Sequence, residues 1–366
     1  MTAELGRGRV VSQLHLGGGT PTFLNDRELA TLMTMLRRHF TLAPGGEYAI
    51  EIDPRTVDAN RLETLAALGF NRLSFGVQDF DPDVQRAVHR VQPAEQVFAL
   101  VRAARALNFE SINVDLIYGL PRQNATTFAR TLEQLVTLRP DRIALYGYAH
   151  LPERFKPQRR IVPQELPLPE TRLAMLAQAL SVLGEAGYVH VGMDHFALPD
   201  DTLAIARRQR RLHRNFQGYS TQPDCDLIAL GVSAIGKIGN VYSQNAKTLD
   251  AYYGQLAQGR LPVARGLTLT DDDQLRRSVI MALMCRGELQ FAAIEREHGI
   301  AFDSYFADEL ENLRTLERDG LVRFAPERDR AVAVTELGWL LVRVVAMVFD
   351  RHLQQGRQGA RFSQVA

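Results

Sequence analysis

Gly17-Gly18-Gly19-Thr20-Pro21-Thr22 directly follows an apolar run, residues 11–16, and precedes a helix-period segment. Bare backbone of this kind lets a ligand approach closely and offers N–H groups to an anion. It is not a nucleotide-triphosphate loop, because no Gly-Lys-Ser/Thr follows, and Thr22 stands where a dinucleotide fingerprint would carry its third glycine. Glu51, Gln78 and Asp115 each close a later apolar run. Acceptors and amides so placed suit ribose hydroxyls or an ammonium group, and each taken singly also suits the cap of the next helix. Arg90 could clamp a carboxylate bidentately or be simply solvated. Tyr146, Tyr148, His150, Asp194 and His195 add acid, base or ring-edge groups. Two basic runs, Arg154-Lys156-Arg159-Arg160 and Arg207-Arg208-Arg210-Arg211-Arg214, suit a small molecule with several carboxylates, or a solvated face. Cys225 lies between Asp224 and Asp226, whose charges disfavour a thiolate, and it has no metal-ligand spacing to Cys285.

These residues need elements to place them. Residues 11–16, 48–53, 72–77, 111–116 and 142–147 are rich in β-branched and aliphatic side chains and read as strands. Helix-period segments over 26–38, 59–68 and 127–138 alternate with them, with Asn25, Asp58 and Thr126 as caps. Such alternation predicts a parallel sheet covered by helices, either doubly wound or an α/β barrel. The candidate residues then fall at carboxyl ends of strands, where parallel sheets build active sites. A Pro-, Arg- and Lys-rich connection over 152–169 leads to a helix over 169–185, a run at 189–193 and polar loops to 226. Helices over 271–285, 289–298 and 302–319, a run at 321–324, a turn at 326–329, a run at 331–334 and a helix from 336 predict a winged-helix-like end. The expected domains are a barrel over 1–200, a connecting segment over 201–268 that contributes to the active site, and a winged-helix-like domain over 269–366.

Composition narrows the function. With 46% hydrophobic and 23% charged residues in 366, the chain can build large cores and is not disordered. Its net charge of +1 supplies no global field toward nucleic acid. Residues 269–366 hold 13 Arg and no Lys against 16 Asp plus Glu, and an acidic wing does not neutralise phosphate. The longest apolar stretch, 339–349, is broken by Arg343 and falls short of a membrane span. Nothing in the first ten residues reads as a signal peptide, so the cytoplasm is the expected location and no membrane is expected as partner.

Four strings carry a resemblance: His15-Leu16-Gly17-Gly18-Gly19-Thr20-Pro21-Thr22, Glu51-Ile52-Asp53-Pro54-Arg55, Asn71-Arg72-Leu73-Ser74-Phe75-Gly76-Val77-Gln78-Asp79-Phe80 and Val114-Asp115-Leu116-Ile117-Tyr118-Gly119-Leu120-Pro121. Tyr148-Ala149-His150-Leu151-Pro152, Gly192-Met193-Asp194-His195-Phe196-Ala197, His213-Arg214-Asn215-Phe216-Gln217-Gly218-Tyr219 and Leu230-Gly231-Val232-Ser233-Ala234-Ile235-Gly236 extend it. From residue 11 to the C terminus the chain resembles the oxygen-independent coproporphyrinogen III oxidases, a radical S-adenosylmethionine family. The Tyr-Ala-His-Leu-Pro segment separates it from the related haem-chaperone branch.

The resemblance implies an α/β fold: a partial parallel (β/α) barrel of radical SAM type, truncated at its N terminus, with a mainly helical winged-helix-like C-terminal domain. It implies a 5′-deoxyadenosyl radical that takes a hydrogen atom from a propionate of coproporphyrinogen III, loss of carbon dioxide and an electron leaving a vinyl group, twice over, to give protoporphyrinogen IX. The resemblance assigns Gly18, Gly19, Thr20, Glu51, Gln78, Arg90, Asp115, Ala149 and Ile235 to two molecules of S-adenosylmethionine. Arg159, Arg160, Arg210 and Arg211 are the expected contacts to substrate carboxylates. It further implies a flavodoxin-like electron donor and a monomer. The family's [4Fe–4S] cluster sits on a Cys-x3-Cys-x2-Cys loop; this sequence has only Cys225 and Cys285, so the expectation is a chain lacking that N-terminal segment, with no metal ligand of its own. The alternative is an inactive relative that holds porphyrin or haem.

Overall fold

The computed structural model describes residue 6, residues 8–326 and residues 330–355, the side chains of 354 and 355 excepted. Most of the turn expected at 326–329 lies outside the described residues. The chain forms two compact units, residues 2–205 and 206–365.

The first unit is built on seven strands: β1 (Arg9–Leu16), β2 (Phe40–Ile52), β3 (Arg72–Gln78), β4 (Ser111–Tyr118), β5 (Arg142–Gly147), β6 (Val189–Gly192) and β7 (His195–Ala197). They lie in the order β1-β2-β3-β4-β5-β7-β6. The first five are parallel, in line with the general (β/α) fold expected of a radical SAM protein. Helices Asp26–His39, Ala59–Ala67, Ala94–Ala106 and Ala125–Leu138 are the crossovers.

Strand periodicity divides the sheet into two faces. Ile50 and Ile52, Leu73, Phe75 and Val77, and Ile112, Val114 and Leu116 point to one face and are buried. There they meet Leu29 and Met33, Leu62 and Leu65, Val97 and Val101, and Phe128, Leu132 and Leu135, residues spaced to share one side of each helix. Glu51, Ser74, Asn113 and Asp115 alternate with the apolar set, are only half-buried, and line the other face. The same two-residue alternation that builds the core thus collects the polar groups on one concave side.

Several expectations are corrected. The run at 189–193 does not continue the parallel sheet: β7 is antiparallel to β5 and β6 to β7. Only Met193, at φ +49°, and Asp194 separate the two strands, and so short a connection makes a hairpin, never a crossover. Strand β2 starts at Phe40, eight residues early, running through Pro44-Gly45-Gly46 with a break in its register against β1. Helix Ala125–Leu138 is capped by Asn124, not Thr126: Asn124 Oδ1 accepts from the N–H groups of Thr126 and Thr127, and Thr127 Oγ1 accepts from Asn124 N–H.

The second unit opens with a hairpin, β8 (His213–Asn215) and β9 (Gly218–Ser220), where polar loops were expected. An antiparallel sheet of β10 (Ile235–Ile238), β11 (Val241–Asn245) and β12 (Val263–Thr268) follows. Helix Asp271–Arg286 leads to β13 (Glu288–Gln290), helices Phe291–His298, Phe302–Tyr305 and Ala307–Arg318, then β14 (Val322–Phe324) and β15 (Ala331–Val334), in the sheet order β13-β15-β14. The expected helix over 289–298 thus begins at Phe291, its first residues spent on β13, and that over 302–319 breaks at Phe306. Phe291, Phe302, Phe306 and Phe349 fill this core, with Phe291 and Phe302 stacked 4.2 Å apart. No helix among the described residues is long and apolar enough to cross a membrane.

Candidate active site

The concave face gathers at the carboxyl ends of the parallel strands. β1 ends at Leu16, and the chain turns away through Gly17-Gly18-Gly19. Gly17 has no room for a side chain: a Cβ there would lie 2.4 Å from both Glu51 Oε1 and His15 Nε2. Gly18, at φ +88°, donates its N–H to Glu51 Oε2 at 3.1 Å, and His15 Nε2 stands 3.1 Å from Glu51 Oε1. Above Gly18 and Gly19 the space that a Cβ would occupy is open. Thr20 O accepts from Phe23 N–H, which starts the short turn Pro21–Phe23. Glu51 is therefore fixed by the turn, and the turn is left open on its outer side.

Glu51 pairs in register with Ser74, and Asp115 with Gly76. Asp115 Oδ2 accepts from Ser74 Oγ at 3.1 Å and Oδ1 accepts from Asn113 Nδ2 at 2.8 Å. Desolvation, helped by the Glu51 charge, pushes the Asp115 carboxyl up to about 6, against those two hydrogen bonds and the pull of His15. Two carboxylates thus share one concave patch, and their hydrogen-bond partners are His15, the Gly18 N–H, Ser74 and Asn113, with no Lys or Arg.

The other expected site residues are distributed as follows. Gln78 ends β3 at φ +69°, beyond a register break opposite Asp115 and Leu116, with its Nε2 3.0 Å from where a Cβ on Gly76 would sit. Arg90 is not free: Nε and Nη2 donate to Gly76 O at 3.2 and 2.8 Å, and Nη2 is 3.4 Å from Asp53 Oδ1. It braces the end of β3. Asp79, next along the rim, is buried and bonded by Thr131 Oγ1, Gln123 Nε2 and Asp81 N–H, so it locks a turn. Ala149 follows β5, its carbonyl accepting from Gln158 Nε2. Ile235 opens β10 in the second unit. The structure brings His15, Gly18, Glu51 and Asp115 together and sets Gln78 and Arg90 at the neighbouring strand end.

The basic runs are exposed except for Arg207 and Arg214, which are partly buried against the rings of Trp339 and Tyr219. Arg159 Nε donates to Pro152 O, Arg160 is exposed, Arg210 pairs with Glu288 at 2.8 Å, and Arg211 Nε donates to Gln209 Oε1. Tyr146 meets the His195 ring edge-on at 6.3 Å, and Tyr148 Oη lies 3.2 Å from His150 Nδ1. Two clefts, of about 520 and 620 Å³, lie elsewhere, one lined by Phe98 and Glu133 and the other by Thr22 and Arg61.

Sequence reasoning missed Arg172. From helix Pro169–Glu185 its Nη2 donates to Tyr148 O at 3.1 Å, while its Nε lies 2.8 Å from where a Cβ on Gly119 would sit. Gly147 leaves similar room, since a Cβ there would lie 3.0 Å from Tyr118 Oη. Arg172 thereby joins the ends of β4 and β5, and the glycines after those strands are the only sequence signal that a side chain must pass there.

The two cysteines do not suit an iron–sulfur cluster. Cys225 is exposed, whereas Cys285 is buried and its thiol is pushed up to about 12 by desolvation. Among the described residues no three His, Cys, Asp or Glu side chains are grouped to hold a metal ion. The acidic patch, in contrast, fits S-adenosylmethionine: two carboxylates await a cation, and open backbone lies above them.

Residues 2–135 match the family described as the Radical SAM superfamily, and residues 269–341 match the HemN C-terminal domain. The oxygen-independent coproporphyrinogen III oxidase of Pseudomonas aeruginosa is 50% identical over all of this chain and 79% of its own length. That of Escherichia coli is 47% identical over 99% of this chain and 79% of its own. The solved structure of Escherichia coli coproporphyrinogen III oxidase, described as a radical SAM enzyme, superposes with a TM-score of 0.93 at 48% identity, over 96% of this chain and 80% of that one. These matches overturn the expectation that the chain is a truncated form lacking the N-terminal segment: the radical SAM match begins at residue 2 and the solved structure is followed almost throughout. Cys225 and Cys285 lie outside the radical SAM match.

Proposed function

The chain belongs to the oxygen-independent coproporphyrinogen III oxidases of the radical SAM superfamily, and from that premise we propose how its residues serve that reaction. The activity is oxidative decarboxylation of two propionates of coproporphyrinogen III to vinyl groups, giving protoporphyrinogen IX in haem biosynthesis. One observation carries the site: Glu51 and Asp115 face the same space without Lys or Arg among their hydrogen-bond partners, beneath the open backbone of Gly18 and Gly19. A sulfonium or ammonium group placed there neutralises the patch, and acceptors remain for ribose hydroxyls.

S-adenosylmethionine, when bound, supplies the 5′-deoxyadenosyl radical of this family. Glu51 is held by Gly18 N–H, so it presents a fixed acceptor to that ligand. Asp115, pushed up to about 6, retains a neutral fraction near neutral pH and gains charge as a cation approaches. Gln78, with Arg90 bracing the end of β3, and Ala149 border the same strand ends, and the family resemblance assigns Ile235 to a second ligand molecule. Arg159, Arg160, Arg210 and Arg211 are exposed and offer charge to substrate propionates.

The finer architecture is part of this reading. Residues 1–200 form a partial barrel of radical SAM type, 201–268 a connecting segment that contributes to the site, and 269–366 a winged-helix-like domain. Support for the last comes from its order of helix, β13, helices and the β14–β15 hairpin. The protein works as a cytoplasmic monomer that takes its electron from a flavodoxin-like donor.

Isothermal titration with S-adenosylmethionine tests the rim. Chromatography of the porphyrins formed from coproporphyrinogen III under anaerobic, reducing conditions tests the reaction. Saturable binding that Glu51→Gln weakens by about tenfold or more, together with vinyl products, supports the reading. No binding by the wild-type protein at millimolar ligand overturns it, and tetrapyrrole binding without turnover favours the porphyrin-holding alternative.

A further inference from the structure

The second unit holds a charge cluster of its own, built on Asp224. Asp224 Oδ1 and Oδ2 accept from Arg277 Nη2 and Nη1 at 2.7 and 2.9 Å, and Lys237 Nζ donates to Oδ2 at 3.3 Å. Two cations therefore share one carboxylate. Arg277 Nε donates to Tyr242 Oη at 3.0 Å, and Tyr242 lies directly across the β10–β11 pair from Lys237. Lys237 is further pinned by a reciprocal backbone pair with Leu227. Burial, with the positive charge of Arg277 nearby, lowers the pKa of His213, although Asp224 opposes this.

Two cations converge on the one Asp224 carboxylate, and the site is partly open. The Lys237 side chain is 14% exposed and that of Arg277 25%, so both are largely stripped of water, while the Asp224 carboxylate between them is 44% exposed. Two largely desolvated cations that share one half-exposed carboxylate can accept a second anion through its open side. Phe216 stands 56% exposed and meets the Tyr242 ring edge-on at 5.3 Å, which supplies an aromatic surface beside the charges. A ligand that fits both features is flat and apolar with a carboxylate on a short arm.

We infer that Lys237 and Arg277 form a carboxylate-binding site for a propionate of the tetrapyrrole, with Asp224 as an internal counter-anion that the substrate carboxylate partly replaces. The inference rests on the proposed function and deepens it by assigning substrate-charge recognition to residues outside the exposed arginine runs. It makes an unusual demand on Asp224: removing its charge should strengthen ligand binding, because the two cations would then be free for the incoming carboxylate. A purely structural ion pair makes the opposite demand.

The test is fluorescence titration of the full chain with coproporphyrin III and, in the same dilute non-ionic detergent, with its tetramethyl ester. The expected result is that the wild type binds the tetracarboxylate at least about tenfold more tightly than the ester. Lys237→Gln should remove most of that preference, and Asp224→Asn should increase it several-fold. Arg277→Gln should act like Lys237→Gln, but it also frees Tyr242, so Lys237→Gln and Asp224→Asn carry the test. If the wild type shows the preference and both variants keep it unchanged, or if both lose it together, the site is structural and the inference falls while the proposed function stands. If the wild type binds neither compound, the proposed substrate falls and this inference with it.

Discussion

Asp115 in the first unit and Asp273 in the second are held in opposite ways. On the concave face of the first, Asp115 keeps two neutral hydrogen-bond donors and a second carboxylate nearby, and its pKa rises to about 6. At the start of helix Asp271–Arg286 in the second, burial works against Asp273 too, but Thr270 donates both N–H and Oγ1, His352 reaches Oδ1 at 2.8 Å and Arg351 stands at 3.2 Å. Its carboxyl is held down at about 2. Asp273 is given basic partners, whereas the donors to Asp115 are neutral. Conformational stability is surrendered at the first so that binding can recover it.

Substitution at Asp115 probes that contrast hardest. Asp115→Asn should weaken S-adenosylmethionine binding by roughly 10–100-fold, the loss of a charge-assisted contact of about 1.5–3 kcal/mol, measured by isothermal titration. The same change should raise the melting temperature at pH 7.5. Because the folded pKa lies above the ordinary carboxylate value of 3.8, ionisation costs stability progressively as pH rises from near 3.8 to about 6. The stabilising effect of the amide should therefore shrink through that window on acidification and vanish below it. Equal melting temperatures at pH 7.5 would show that the desolvation cost is not there.

Asp273→Asn should have the reverse sign and a smaller effect. Loss of the charged cap and its link to His352 and Arg351 should cost about 1–2 kcal/mol at pH 7, read from denaturant unfolding. For a depressed carboxylate the stabilisation is present above 3.8 and is lost as pH falls toward about 2, so wild type and variant should converge there. Divergence at low pH would break the comparison between the units.

The smallest effect concerns thiols. Iodoacetamide at pH 8 should label exposed Cys225 and spare buried Cys285, whose thiol is pushed up to about 12. Peptide mass mapping reads this directly. Rapid labelling at Cys285 in the native protein would show that the core beneath β8 opens far more readily than its packing suggests.

The alternation of strands and helices was legible because β3, β4 and β5 are compact apolar runs and their helices carry one apolar stripe. The first half of β2 was hidden by Pro44-Gly45-Gly46, residues that read as a turn until partners on both sides hold them extended. Strands of three residues, such as β7, β8 and β13, are too short for a period to register. At the site, Gly18, Glu51 and Asp115 could be picked out because each sits at or near the end of an apolar run, although β4 continues past Asp115 to Tyr118. Arg172 could not, since a helix that starts only after β5 and the connection beyond it delivers it by tertiary packing alone. Nor could the partnership of Asp224, Lys237 and Arg277, which local pattern does not connect.

Arg172 also orders events in time. The strands whose ends it passes, β4 and β5, are complete at Gly147, yet that side chain arrives only with helix Pro169–Glu185. A chain emerging from the ribosome at roughly 5–20 residues per second can pair these strands before it can brace them. Their pairing is settled by backbone hydrogen bonds and apolar burial, and the rim acquires its final shape only when the later helix docks. The sheet is thus a scaffold that precedes its own active-site geometry during synthesis.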